Sequence, residues 1–119
     1  MEKTITETIW ESINEIEKKK ENYDPAYLSE KLVDLSALYA NLTQHIAELE
    51  SQYFKVLNMA MEKDEKISSA RAKIMANAGD EYLKFRKAQM LEKALIEEIR
   101  SIKLYIRVRQ NEFEGSRNL

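Results

Sequence analysis

Four cations recur every seven residues in the last third of the chain, Arg86, Lys93, Arg100 and Arg107. Two helical turns hold about seven residues, so this spacing stacks the four side chains into one ridge. Lys84, Lys87 and Lys103 widen it. Clustered Lys and Arg attract carboxylates and phosphates, and the planar guanidinium grips either group in two places. Arg86, Lys93, Arg100, Lys103 and Arg107 are therefore the candidate partner-binding residues. Three uses compete for them. The ridge pairs with acids of a neighbouring helix or stays solvated, it docks on an acidic protein, or it follows a nucleic-acid backbone with Tyr105 stacking on a base. Asp34, Glu48, Glu50 and Glu62 fall mostly on outer positions of the preceding helix, so they meet only part of the ridge.

The remaining candidates are weaker. His45 is the only histidine, and His45-Ile46-Ala47-Glu48 sets an imidazole and a carboxylate about one turn apart. Di-iron bundles use Glu-x-x-His on two helices with two further Glu. Here the order is reversed and a second His is missing, so the expectation is a half-buried structural histidine and no metal. Glu92 is the carboxylate whose spacing would bury it; a seam carboxylate sets register or pairs with a facing base such as Lys63 more readily than it does acid–base chemistry. There is no Cys, no Gly-rich phosphate loop, no Gly-x-Ser-x-Gly elbow and no His-Glu-x-x-His. The expectation is a protein that is not an enzyme and takes no cofactor.

These residues need long helices to position them. From Leu28, alternating steps of four and three give Leu32, Leu35, Tyr39, Leu42, Ile46, Leu49, Tyr53, Val56 and Ala60. An apolar seam repeating every 3.5 residues predicts a long helix facing a partner helix. Asp24-Pro25 marks its start, because Asp caps well and Pro is tolerated at the first helical position. Its end is expected near Asp64, with Ser68 or Ser69 capping a short helix, although continuation to Asn77 is the rival reading. Asn77-Ala78-Gly79-Asp80 is the next boundary, with Gly79 expected in the left-handed conformation and Asp80 as cap. A last seam reads Phe85, Ala88, Glu92, Leu95, Ile99, Ile102, Ile106, Arg109 and Phe113, with Leu91 and Ile96 alongside. At the N-terminus Thr4 or Thr6 caps a helix lined by Ile5, Ile9, Ile13 and Ile16, with Trp10 beside them. The Lys18-Lys19-Lys20 run is read as cations at a negative helix end, or else as a phosphate-binding patch.

The fold predicted is all-α: a long antiparallel helical hairpin with an N-terminal helix, packed as a coiled-coil-like bundle. It is a single domain over 1–119, with helices at about 4–21, 25–63, 68–78 and 80–114 and a frayed tail over 115–119. Two Gly and one Pro in 119 residues fit few corners and long helices. A fringe of Leu38, His45 and Met59 asks for a third helix, so the chain is expected to be a three-helix monomer or a homodimer of hairpins, with the dimer preferred. Met59, Met61, Met75 and Met90 gather at the expected hairpin tip, as core filling or as an adaptable contact surface. Tyr39 and Tyr53 are expected in the core with hydroxyls at its rim.

The net charge of −2 is unevenly spread, with residues 1–64 acidic and residues 65–119 carrying twelve Lys and Arg against eight acids. Such asymmetry suits arms that attract each other, or an outside partner. No apolar run approaches a bilayer span and the first residues lack a signal-peptide layout, so no membrane partner and a cytoplasmic location are expected.

Ser68-Ser69-Ala70-Arg71-Ala72-Lys73, then Gly79-Asp80-Glu81-Tyr82 and Ile99-Arg100-Ser101-Ile102-Lys103, resemble small all-helical accessory proteins of temperate phages and prophages. The resemblance covers residues 65–119. It implies an accessory or inhibitor role in replication, recombination or interference with host defence, and it transfers no catalytic residues. The leading reading is a non-enzymatic helical module that docks on another protein. The alternatives are a nucleic-acid-binding accessory protein using the same ridge and a self-assembling coiled-coil structural protein.

Overall fold

Thr4 sets the first helix. Its hydroxyl accepts a hydrogen bond from the Glu7 N–H at 3.1 Å, which satisfies one of the donors a helix start leaves orphaned. A computed structural model describes residues 2–22 and 24–117, the side chains of 113–117 excepted. It contains α1 (Ile5–Lys19), a 3-10 turn (Lys20–Asn22), α2 (Pro25–Lys63), α3 (Ser69–Asn77) and α4 (Asp80–Arg117). Helix accounts for 90% of the described residues and no strand forms among them, so the class is all-α. Asp24 caps α2 through Oδ1, which accepts from the Tyr27 N–H at 2.8 Å, and Pro25 follows at the first helical position.

The central helix ends at Lys63. Asp64 makes the turn: its Oδ1 accepts from the Lys66 N–H at 3.0 Å and its carbonyl accepts from the Ile67 N–H at 3.1 Å. Ser68 then caps α3, its hydroxyl accepting from the Arg71 N–H at 3.1 Å. Removing that hydroxyl with Ser68→Ala is expected to lower stability by about 1 kcal/mol in a denaturant titration.

Two expectations at the next corner are corrected. Gly79 has no positive φ, and Ala78, still right-handed at φ −81° and ψ −9°, occupies the C-cap of α3. The Ala78 N–H reaches the Met75 carbonyl at 3.3 Å, so the last turn tightens and satisfies its own carbonyls without a left-handed residue. Asp80 is already helical and not the cap; the Gly79 carbonyl accepts the first bond of α4, from the Leu83 N–H at 3.4 Å. Asp80 and Glu81 instead place negative charge in the first turn, where the helix dipole favours it. Helix α4 also continues to Arg117, three residues beyond the expected end at 114. The readings of the Phe113 side chain and of Asn118-Leu119 lie outside the described residues.

The chain groups into two compact units, residues 1–41 with 91–119, and residues 42–90. The first unit buries Ile9, Ile13 and Ile16 of α1, Leu28 and Leu35 of α2, and Leu91, Leu95 and Ile102 of α4. Each such side chain contributes roughly 1.5–3 kcal/mol by leaving water. The second unit is built around Leu49, Tyr53, Ala76, Phe85 and Ala88, with Ile46, Val56, Leu57 and Tyr82 packed against them. Ala72 and Ala76, at 0% and 2% exposure, give α3 a small-sided face that packs closely. All ten positions of the seam read from Leu28 to Ala60 are buried or half-buried.

Candidate functional site

In the second unit, Tyr53 is the residue around which polar and apolar groups are brought together. It lies on the α2 seam and is 7% exposed. Its ring centroid is 5.4 Å from that of Tyr82 and 6.1 Å from that of Phe85, the latter edge-on at 82°. Phe54, the next residue along, is tilted against it at 5.6 Å and stays 48% exposed. Edge-on and tilted ring pairs set the positive edge of one ring against the negative face of another. The Tyr53 hydroxyl donates to Asn77 Oδ1, which ties the end of α3 to α2. A groove of about 430 Å³ opens over this cluster, its apolar wall made of Tyr53, Phe54, Leu57, Tyr82 and Phe85. Its polar wall is Glu50, Lys73, Asn77, Arg86 and Gln89. Arg86 donates to Gln89 Oε1 at 2.9 Å, one turn further along α4.

A second hollow of about 270 Å³ in the same unit is lined by Val56, Met59, Ala60, Lys63, Met75 and Ala76. Met59 and Met75 are 55% and 56% exposed, and Met61 and Met90 are exposed too. The expectation that these methionines fill the core is therefore corrected. The buried positions of α3 are Ala72 and Ala76.

The candidate ridge residues Arg86, Lys93, Arg100, Lys103 and Arg107 are all exposed. Arg100 pairs with Glu97 of its own helix at 3.1 Å, and Arg86 bonds only within α4. No ion pair among the described residues joins the ridge to an acid of α2. Of the five, Arg86 reaches the groove; the other four belong to the first unit. Lys73, Asn77 and Gln89 are not legible as site residues in the sequence, because only the fold sets them in one groove with Arg86.

In the first unit the buried carboxylate is Glu98, at 6% exposure, and not Glu92, which is half-buried. The buried positions of α4 run Phe85, Ala88, Leu91, Leu95, Glu98 and Ile102, so the step after Ala88 is three residues where four was expected. Glu98 Oε1 has no hydrogen-bond partner. Its carboxyl is pushed up to about 7, chiefly by burial and then by a hydrogen bond with the nearby Glu17 carboxyl, while Lys20 opposes both. Lys20 itself donates to Ser101 Oγ at 3.1 Å and pairs with Glu17 at 3.4 Å. Its ammonium also lies 5.8 Å from the centroid of the Tyr105 ring. Arg109 covers that ring at 5.1 Å, bonds its hydroxyl and donates to the Glu21 carbonyl. Tyr105, expected to be available for stacking on a base, is thus half-buried and engaged by two cations of the chain. Lys18 and Lys19 remain at the end of α1.

Among the described residues no three His, Cys, Asp or Glu side chains are grouped to hold a metal ion, and His45 is half-buried. No described helix is long and apolar enough to cross a membrane. Comparison with protein families, with curated proteins and with solved structures finds no match to this chain.

Proposed function

We propose that the chain is a non-enzymatic helical module that docks on another protein, with the exposed face of the second unit as its contact surface. The observation that carries this reading is the hollow flanked by Met59 and Met75, two unbranched, polarizable side chains left more than half exposed beside a groove walled by aromatic rings. Methionines of this kind repack against varied partners, and apolar surface left open on a helical protein marks an interaction site. The solvated ridge of Lys93, Arg100, Lys103 and Arg107 adds charge that steers an acidic partner. The resemblance of residues 65–119 makes a host factor of replication, recombination or defence the partner class to test first.

Photo-crosslinking residues placed at Met59 and Met75, in the cells the chain comes from, test this. The expected result is one discrete protein adduct that disappears when Arg86, Lys93, Arg100 and Arg107 are all changed to Glu while helicity is kept. Adducts with nucleic acid alone, or only with a second copy of this chain, would overturn the reading in favour of a nucleic-acid accessory or a self-assembling protein.

A further inference from the structure

The groove over Tyr53 carries an unusual balance of hydrogen-bonding groups. Two of its lining residues are primary amides, and each has its oxygen already engaged. Asn77 Oδ1 accepts from the Tyr53 hydroxyl, and Gln89 Oε1 accepts from Arg86 at 2.9 Å. Each carbonyl keeps one further lone pair, and each NH2 adds two donors to the groove wall. Lys73 and Arg86 complete the polar wall, and both are donors with no acceptor capacity. Glu50 is the only anionic side chain among the polar lining residues, and it joins neither cation in an ion pair. The opposite wall is aromatic and apolar. A wall of donors beside an aromatic wall is complementary to a carboxylate carried close to a large apolar side chain.

We propose that this groove binds an acidic peptide segment of the partner, seating one aromatic side chain against Tyr53, Tyr82 and Phe85 and an adjacent carboxylate on Lys73, Arg86 and the two amide NH2 groups. The volume of about 430 Å³ holds one bulky side chain with room for the flanking backbone. A nucleotide also joins an aromatic ring to an anion, but strands are held by a positive track that follows the phosphates. Here two cations stand with the Glu50 carboxylate in the same groove, which suits a single carboxylate and repels a run of phosphates. This inference rests on the docking reading above and names what the partner presents.

The test is an NMR titration of the full chain, isotope-labelled, with three probes: a ten-residue peptide with one Trp flanked by Glu, the same peptide with Lys in place of Glu, and a thymidine decanucleotide. The expected result is that the Glu peptide alone shifts the side-chain NH2 signals of Asn77 and Gln89 and the backbone signals of Tyr82 and Arg86. The Lys73→Glu, Arg86→Glu double variant should bind it about tenfold more weakly or worse, with an unchanged helical spectrum. Equal response to the Lys peptide, shifts that map elsewhere, or no shifts would overturn the proposal. A response to the oligonucleotide alone would reassign the groove to nucleic acid. If the crosslinking experiment still yields its protein adduct while the Glu peptide fails, only the groove assignment falls; if the adduct is absent, the docking reading itself falls.

Discussion

Glu98→Gln is expected to stabilise the protein by about 1–2 kcal/mol at pH 8, the shift being discounted for solvent screening, and to change little at pH 4. The folded carboxyl holds its proton up to about 7, whereas in an unfolded chain it would lose it near 4.5. Between those values the folded state binds the extra proton, so stability is complete below about 4.5 and declines as pH rises towards 7. Above that the folded chain must keep a buried carboxylate whose Oε1 is unpartnered. Glutamine imitates the protonated carboxyl in size and can donate to Glu17 where the shared proton sat, so it removes the penalty without removing the contact. Urea titrations of both proteins at several pH values check this. The two curves should meet in acid and separate on the alkaline side, and parallel pH profiles would show that Glu98 is not the group responsible.

Phe85→Ala is expected to cost about 3–5 kcal/mol at any pH, because it deletes a buried ring and leaves a cavity against Tyr53. The ring is 8% exposed and sits at the centre of the second unit's core. Phe54 is the control: it touches the same tyrosine, yet it is 48% exposed, so Phe54→Ala should cost well under half as much. Similar losses for both variants would mean that the cluster is held by ring contact alone and not by burial. The loss at Phe85 should also close or deform the groove, so Phe54→Ala is the better variant for probing binding in a chain that remains folded.

The long central helix was legible because its seam runs unbroken from Leu28 to Ala60, and a 3.5-residue repeat has no other regular explanation. The corners were legible where a side chain does the capping, as at Thr4, Asp24 and Ser68. Glu98 was hidden by Ala88. After a small residue, Leu91 and Glu92 continue the stripe equally well, and the wrong step shifts the carboxylate assigned to the interior. Gly79 misled because glycine permits a left-handed turn without requiring one, and here a tightened last turn closes α3. The methionines misled because the same soft side chain serves a core and an exposed surface, and which it does depends on the neighbours. The donor-rich wall of the groove was out of reach of any spacing rule. It depends on which end of each amide is occupied, and for Asn77 the deciding partner is Tyr53, 24 positions earlier in the chain.

The division into residues 42–90 and residues 1–41 with 91–119 has a consequence during synthesis. The second unit is one continuous stretch and has all its parts once residue 90 has left the ribosome. The first unit waits for its final helix. At roughly 5–20 residues per second, the Ile9, Ile13 and Ile16 face of α1 waits about 3–12 seconds after residue 41 has been made before Leu91, Leu95 and Ile102 are all in place. During that interval the nascent chain is held to its apolar N-terminal stripe with part of its covering still untranslated. That is the window in which a chaperone or a neighbouring nascent chain competes for the stripe.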